Sequence, residues 1–126
     1  MARVEVRRVE PVFRDERGTI ADILEGEVRH TGIIWTKKGA FRGGHYHRKS
    51  IQYTYILKGR MEMKTKNLAK DKSRVKTTMI EKGDLITIPP MFAHSFVALE
   101  ETTFLDMTTE SRADGGYEND TFRLKF

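Results

Sequence analysis

The chain has 126 residues, 23 basic against 18 acidic, a net charge of +5 and no cysteine. That length suits one domain burying about two thirds of its unfolded surface, and the missing cysteine excludes disulfides, thiolate metal sites and a cysteine nucleophile. The basic excess is interleaved with acids along most of the chain, which argues against a nucleic-acid partner.

In chain order, Val4 to Val9 and Thr19 to Leu24 read as strands around the turn Asp15-Glu-Arg-Gly18. Val28 to Lys37 is a third strand, with Trp35 expected in the core. Arg42 to Arg48 is a strand carrying two histidines, followed by Gln52 to Leu57 and Arg60 to Lys66 pivoting on Gly59. A basic span from Lys64 to Lys76 reads as a solvated hairpin tip. Val75 to Ile80, Leu85 to Ile88, His94 to Leu99 and Thr103 to Thr109 complete the strands. Turn signals every eight to twelve residues, with no sustained helical periodicity, indicate an all-β sandwich or barrel. In the tail Phe122, Leu124 and Phe126 alternate with Arg123 and Lys125, so one face of it needs cover. The N-terminal residues lack the continuous apolar core of a signal peptide, and no run approaches membrane-spanning length. A soluble, cytoplasmic protein with no membrane partner is the expectation.

Strand periodicity puts His45 and His47 on one face, roughly 6 to 7 Å apart. Gln52 heads the next strand, and His94 follows the corner Pro89-Pro90. Three imidazoles and an amide converging on one point permit two chemistries. One is a divalent transition metal held by His45, His47, Gln52 and His94. The other is metal-free proton transfer by a neutral histidine, with nearby cations holding the developing enolate. Lys37, Lys38, Arg42, Arg48 and Lys49 surround the histidines and suit an anionic small molecule. Tyr46, Tyr53 and Tyr55 fall on the opposite parity and read as packing; His30 reads as an ordinary strand histidine.

Two stretches resemble the paired motifs of the cupin superfamily. Gly39, His45, His47 and Gly59 fall on the first, Gly-x5-His-x-His-x3-4-Glu-x6-Gly. Gly83, Pro89 and His94 fall on the second, Gly-x5-Pro-x-Gly-x2-His. Gln52 stands where the pattern has glutamate, and Met91 where it has glycine. The resemblance implies a single-domain double-stranded β-helix, or jelly-roll barrel, over 1–126. A finer similarity is to the nucleotide-sugar branch, the 3,4-ketoisomerases and 3,5-epimerases of 4-keto-6-deoxy sugars. It rests on Asp15-Glu-Arg-Gly18, on Arg42-Gly-Gly-His-Tyr46 and its continuation to Gln52, and on Ile88-Pro-Pro-Met-Phe-Ala-His-Ser-Phe96. The resemblance implies His45, His47 and Arg42 as catalytic residues, with Arg17, Lys37, Arg48, Gln52 and His94 binding a nucleotide sugar, no required cofactor and a homodimer. No tyrosine lies between Phe104 and Glu110, where the epimerases carry theirs. A metal-dependent cupin dioxygenase or isomerase, or a non-catalytic binding cupin, is the alternative.

Overall fold

The computed structural model describes residues 2–70 and 73–126, so two positions of the basic span, Asp71 and Lys72, lie outside the described residues. Its strands are β1 (Glu5–Arg8), β2 (Phe13–Asp15), β3 (Gly18–Ile20), β4 (His30–Thr36), β5 (Phe41–Tyr46) and β6 (Gln52–Lys58). They continue as β7 (Arg60–Asn67), β8 (Lys76–Glu81), β9 (Asp84–Ile88), β10 (Phe92–Ala98), β11 (Thr102–Thr108) and β12 (Phe122–Arg123). One sheet runs β1-β9-β6-β11-β4 and the other β12-β5-β10-β7-β8, all pairs antiparallel; β2 and β3 form a separate hairpin. This is the jelly-roll barrel expected from the motifs. No helix among the described residues is long and apolar enough to cross a membrane.

Alternation builds the core. Ile56 on β6, Met61 and Met63 on β7, Ile80 on β8, Ile86 and Ile88 on β9, Phe96 on β10 and Phe104 on β11 turn inward and pack together. Trp35 departs from expectation: it is 67% exposed. β4 is an edge strand whose even positions face the core, so Ile34 packs against the cluster while Ile33 and Trp35 face outward. Ile33 and Trp35 make the outward parity the more apolar one in sequence, so composition pointed the wrong way.

The tail also adds structure that periodicity did not show. A short 3-10 turn (Ala113–Gly115) leads into the helical turn α1 (Gly116–Asn119), and β12 then pairs with β5, setting Phe122 opposite Tyr46 and Arg123 opposite His45. Phe122 stacks on Tyr46 at 5.3 Å, and the chain's own barrel half-covers Phe122, Leu124 and Phe126.

Candidate active site

A bulge aims the first histidine. His94 of β10 pairs with His45, but Ser95 pairs with Gly43, leaving Gly44 as an extra residue in β5. Gly43 has φ of 85°, and a Cβ there would meet the His94 carbonyl oxygen at 2.8 Å, so only glycine lets the strands approach this closely. The extra residue switches the parity of β5. Arg42, paired with Phe96, and His45, paired with His94, therefore both face inward although three positions separate them.

The corner before β10 is set by Met91, which adopts φ of 67°. That left-handed conformation is the reason the motif carries glycine there, and a methionine holds it at a cost of about 1–2 kcal/mol. Its amide donates to the His47 carbonyl at 2.7 Å, tying the second motif to the first.

The three rings meet as the spacing predicts. Their centroids lie 4.7 to 5.4 Å apart, and one nitrogen from each falls within 4.8 Å of the others. His47 Nδ1 donates to the Asp120 carbonyl at 2.9 Å and His94 Nδ1 to the Phe92 carbonyl at 3.0 Å. Carbonyl oxygens only accept, so in the neutral rings both Nε2 atoms carry lone pairs. The side-chain amide of Gln52 meets both, with Oε1 placed 3.3 Å from His47 Nε2 and 3.1 Å from His94 Nε2. Three acceptors facing one another repel, and two arrangements relieve this. The amide turns over, its NH2 donating to both rings while its oxygen accepts from the Thr54 hydroxyl, or a cation takes the lone pairs.

Asp120 holds this wall from behind. Its carboxylate accepts from the backbone amides of Arg48 (3.0 Å), Lys49 (3.1 Å) and Ser50 (2.8 Å). Asp120→Ala strips three amides of their partner and is expected to lower stability by about 2–4 kcal/mol in urea unfolding; a loss below about 0.5 kcal/mol contradicts this anchoring.

His47 and His94 are buried, whereas His45 lines a cavity of about 120 Å³ that the other two rings do not line. Arg42, Gln52, Asp106, Arg112 and Tyr117 share its wall, with Phe96 and Phe104 among its apolar residues. Neither ring nitrogen of His45 is hydrogen-bonded among the described residues, leaving both free for a ligand. Burial, then the charges of His47 and Arg123, pulls its pKa down to about 4. Burial chiefly takes His94 down to about 3. Arg42 is braced by Nε to the Thr36 hydroxyl (3.2 Å) and Nη2 to the Trp35 carbonyl (3.0 Å).

Three lining residues were not singled out in the sequence. Asp106 lies on β11 on the inward parity of Phe104, and its buried Oδ1 has no hydrogen-bond partner among the described residues. Burial raises its pKa to about 6, against the lowering pull of Arg112 and His47. As the one charged residue of β11, sharing its inward face with Thr102, Phe104 and Thr108, it could have been marked from the sequence. Tyr117 supplies a phenol from α1, 5.2 Å from the His47 ring; burial and then the Asp106 charge raise its pKa to about 12, keeping the hydroxyl protonated. Arg112 covers the Tyr117 ring at 4.7 Å and donates to His30 Nε2 at 3.1 Å.

Besides the fully buried His94, three expected substrate contacts lie outside the cavity lining. Arg17 is turned onto its own hairpin, donating to the Asp15 carboxylate through Nε (2.9 Å) and Nη2 (2.7 Å), which holds Asp15 below its usual pKa. Arg48 lies 4.7 Å over the Phe122 ring and borders a separate concavity with Asp120. Lys37 is exposed just beyond β4.

Among solved structures, dTDP-4-dehydrorhamnose 3,5-epimerase from Sulfolobus tokodaii matches with a TM-score of 0.68 at 23% identity, over 88% of this chain and 72% of that one. A 3,4-ketoisomerase from Helicobacter canadensis gives a TM-score of 0.77 at 16% identity, over 95% and 90%. A dTDP-4-dehydrorhamnose 3,5-epimerase from Elizabethkingia anophelis gives 0.77 at 19%, over 98% and 75%. At these identities the likeness carries the fold, the cupin jelly roll. No curated protein is similar enough to match the sequence. The family model described as the polysaccharide biosynthesis C-terminal domain matches residues 13–122, most of the chain, and the protein therefore belongs to that family.

Proposed function

We propose that the protein is an isomerase that moves a proton on a nucleotide-linked 4-keto-6-deoxy sugar, as a 3,4-ketoisomerase or an epimerase. The observation that carries this is the cavity lined together by the His45 imidazole, the Asp106 carboxyl, whose Oδ1 has no partner among the described residues, and two guanidinium groups. His45 takes the C3 proton, which is acidic beside the C4 ketone, and the electron pair forms the enediolate. Arg42 stabilises the oxygen charge. Burial penalises an isolated imidazolium, but here the cation forms together with the enediolate, so the two charges compensate. Transfer of the O3 proton to O4 and return of the abstracted proton to C4 leave a 3-keto, 4-hydroxy sugar; return of a proton to C3 from the other face inverts that centre. Asp106 and the Tyr117 hydroxyl line the same space and supply proton carriers beyond His45.

A cavity of about 120 Å³ is smaller than the roughly 300–1,000 Å³ of whole-ligand pockets. It receives the reacting ring, with the nucleotide outside. Incubation with a nucleotide-linked 4-keto-6-deoxy sugar should yield an isomer of identical mass, separable by chromatography. Unchanged substrate at stoichiometric protein contradicts the proposal.

A second reading is favoured by the mutual placement of the histidine nitrogens. The donor set fits a divalent transition ion: pinned Nδ1–H groups leave Nε2 of His47 and His94 facing inward, with His45 and Gln52 beside them. Bound there, such an ion would supply Lewis acidity. Gln52 decides between the readings, because its amide can donate to both rings whereas a carboxylate cannot. Gln52→Glu is therefore expected to tighten cobalt(II) binding about tenfold or more, measured by calorimetry on untagged protein. Stoichiometric, tight cobalt binding by the unaltered protein would instead favour the metal-dependent enzyme.

A homodimer is part of the proposal. Ile33 and Trp35 on the outer face of edge strand β4, and Phe13 and Ile20 on the detached β2–β3 hairpin, are exposed apolar side chains that a second copy would cover. Sedimentation should give twice the chain mass at micromolar concentration; a monomer there contradicts it.

A further inference from the structure

The side of the barrel away from β4 is bounded by β1 and β8, the outer strands at the other end of the two sheets. A cavity of about 460 Å³ opens there, larger than the one at His45 and within the range of whole-ligand pockets. Its lining includes Arg3, Arg74, Lys76, Asn67 and Thr65, and it shares no residue with the His45 cavity.

Side-chain parity shows that this is not a gap left by poor packing. Along β7 the inward positions run Met61, Met63, Thr65, Asn67, and along β8 they run Ile80, Thr78, Lys76. Apolar core thus gives way to hydroxyl, amide and ammonium on both strands at the same end. A barrel end that merely needed filling would continue with aliphatic side chains. Val4, Val6 and Phe92 keep one wall apolar.

The charge is one-sided. No acidic residue among the described residues lines the cavity. Arg74 and Lys76 form no ion pair among the described residues, and Arg3 shares Glu5 at 3.4 Å where both are exposed. The basic span that reads in the sequence as a solvated tip thus places two of its cations in a concave site.

We infer that this cavity is a second binding site, taking a small organic phosphate whose head meets Arg3, Arg74 and Lys76 and whose uncharged body lies on Val4, Val6 and Phe92. Guanidinium and ammonium groups on a concave surface recognise phosphate by charge-assisted hydrogen bonds. The apolar wall distinguishes an organic phosphate from the free ion. The site borders the strand that holds the third histidine: Thr65 pairs with His94, and the Phe92 carbonyl accepts from His94 Nδ1.

The test is an amide NMR titration of the full chain with phenyl phosphate, inorganic phosphate and phenol, and its readout does not depend on turnover. Phenyl phosphate should shift the amides of Thr65, Asn67 and Thr78 in a saturable way that weakens with added salt. Inorganic phosphate should bind more weakly at the same amides, and phenol should not bind. In the Arg74→Gln/Lys76→Gln protein the affinity should fall about tenfold or more, whereas Arg42→Ala, in the other cavity, should leave it unchanged. The inference is overturned if phenyl phosphate produces no saturable shift, if the shifts fall instead on Gly43, Gln52 and Asp106, if the glutamine variant binds as well as the parent, or if inorganic phosphate binds equally tightly.

Discussion

Replacing His45 by asparagine is expected to slow proton exchange on the sugar by about 10²–10⁴-fold while leaving substrate affinity nearly intact. Of the three clustered imidazoles it alone lines the cavity, and its nitrogens have no hydrogen-bond partner among the described residues, where those of His47 and His94 are committed to carbonyls and to Gln52. Its pKa of about 4 keeps it unprotonated, and so able to accept, throughout the neutral range. Asparagine keeps polarity and approximate size but has no basic nitrogen. The comparison is exchange rate against calorimetric affinity in the same preparation. Exchange retained within about threefold of the parent would remove His45 from the base role, since even a modest general base contributes more.

Asp106→Asn is expected to make the protein more stable and less active together. Burial raises the carboxyl from its ordinary value to about 6, so near pH 7 the fold carries a buried carboxylate whose Oδ1 has no partner among the described residues. Holding a carboxyl at about 6 instead of near 4 costs the ionised fold about 3 kcal/mol. With the folded pKa raised, this group's contribution to stability is complete below about pH 4 and is lost as pH rises through about 6. The stabilising effect of asparagine should therefore be small near pH 4 and reach several degrees of Tm above pH 7. His45 and His94 act in the opposite sense. Their depressed values, about 4 and about 3, give a contribution that is complete above the ordinary 6.5 and lost as pH falls toward those values. The difference between variant and parent isolates Asp106 from both. Exchange should fall about 10²-fold, and any inflection of the parent's pH–rate profile near 6 should vanish. A variant equal in stability at both pH values, with unchanged rate, would make Asp106 a structural residue.

Much of this was legible in the sequence because strand parity and motif spacing are local. His45, His47, Gln52 and His94 converge as read, and the turn at Gly59 and the corner before His94 fall where punctuation residues put them. What was not legible has identifiable causes. Arg42 shares the inner face with His45 through the extra residue Gly44, whereas simple alternation assigns them opposite faces. Trp35 sits on an edge strand whose outward face, with Ile33 and Trp35, is more apolar in sequence than its inward one, so composition pointed the wrong way. Asp120, Tyr117 and Arg112 come from a tail that folds back as helical turn and strand, and contacts 70 or more residues apart leave no periodic trace. Asp106 was visible in principle, as the one charged residue of its strand, on the inward parity of Phe104. The turn at Asp15 was anticipated, but the strand entering it, Phe13–Asp15, was not, and the strand leaving it ends at Ile20 rather than Leu24; Arg17 within the turn is committed to its neighbour.

The central claim is that His45 removes a carbon-bound proton inside the small cavity it shares with Asp106. Proton NMR of a nucleotide-linked 4-keto-6-deoxy sugar in heavy water measures this directly. The account predicts progressive loss of the C3 proton signal, with a 3-keto product or an inverted centre, dependent on His45. A C3 signal that persists unchanged while the folded protein demonstrably binds the sugar would contradict it.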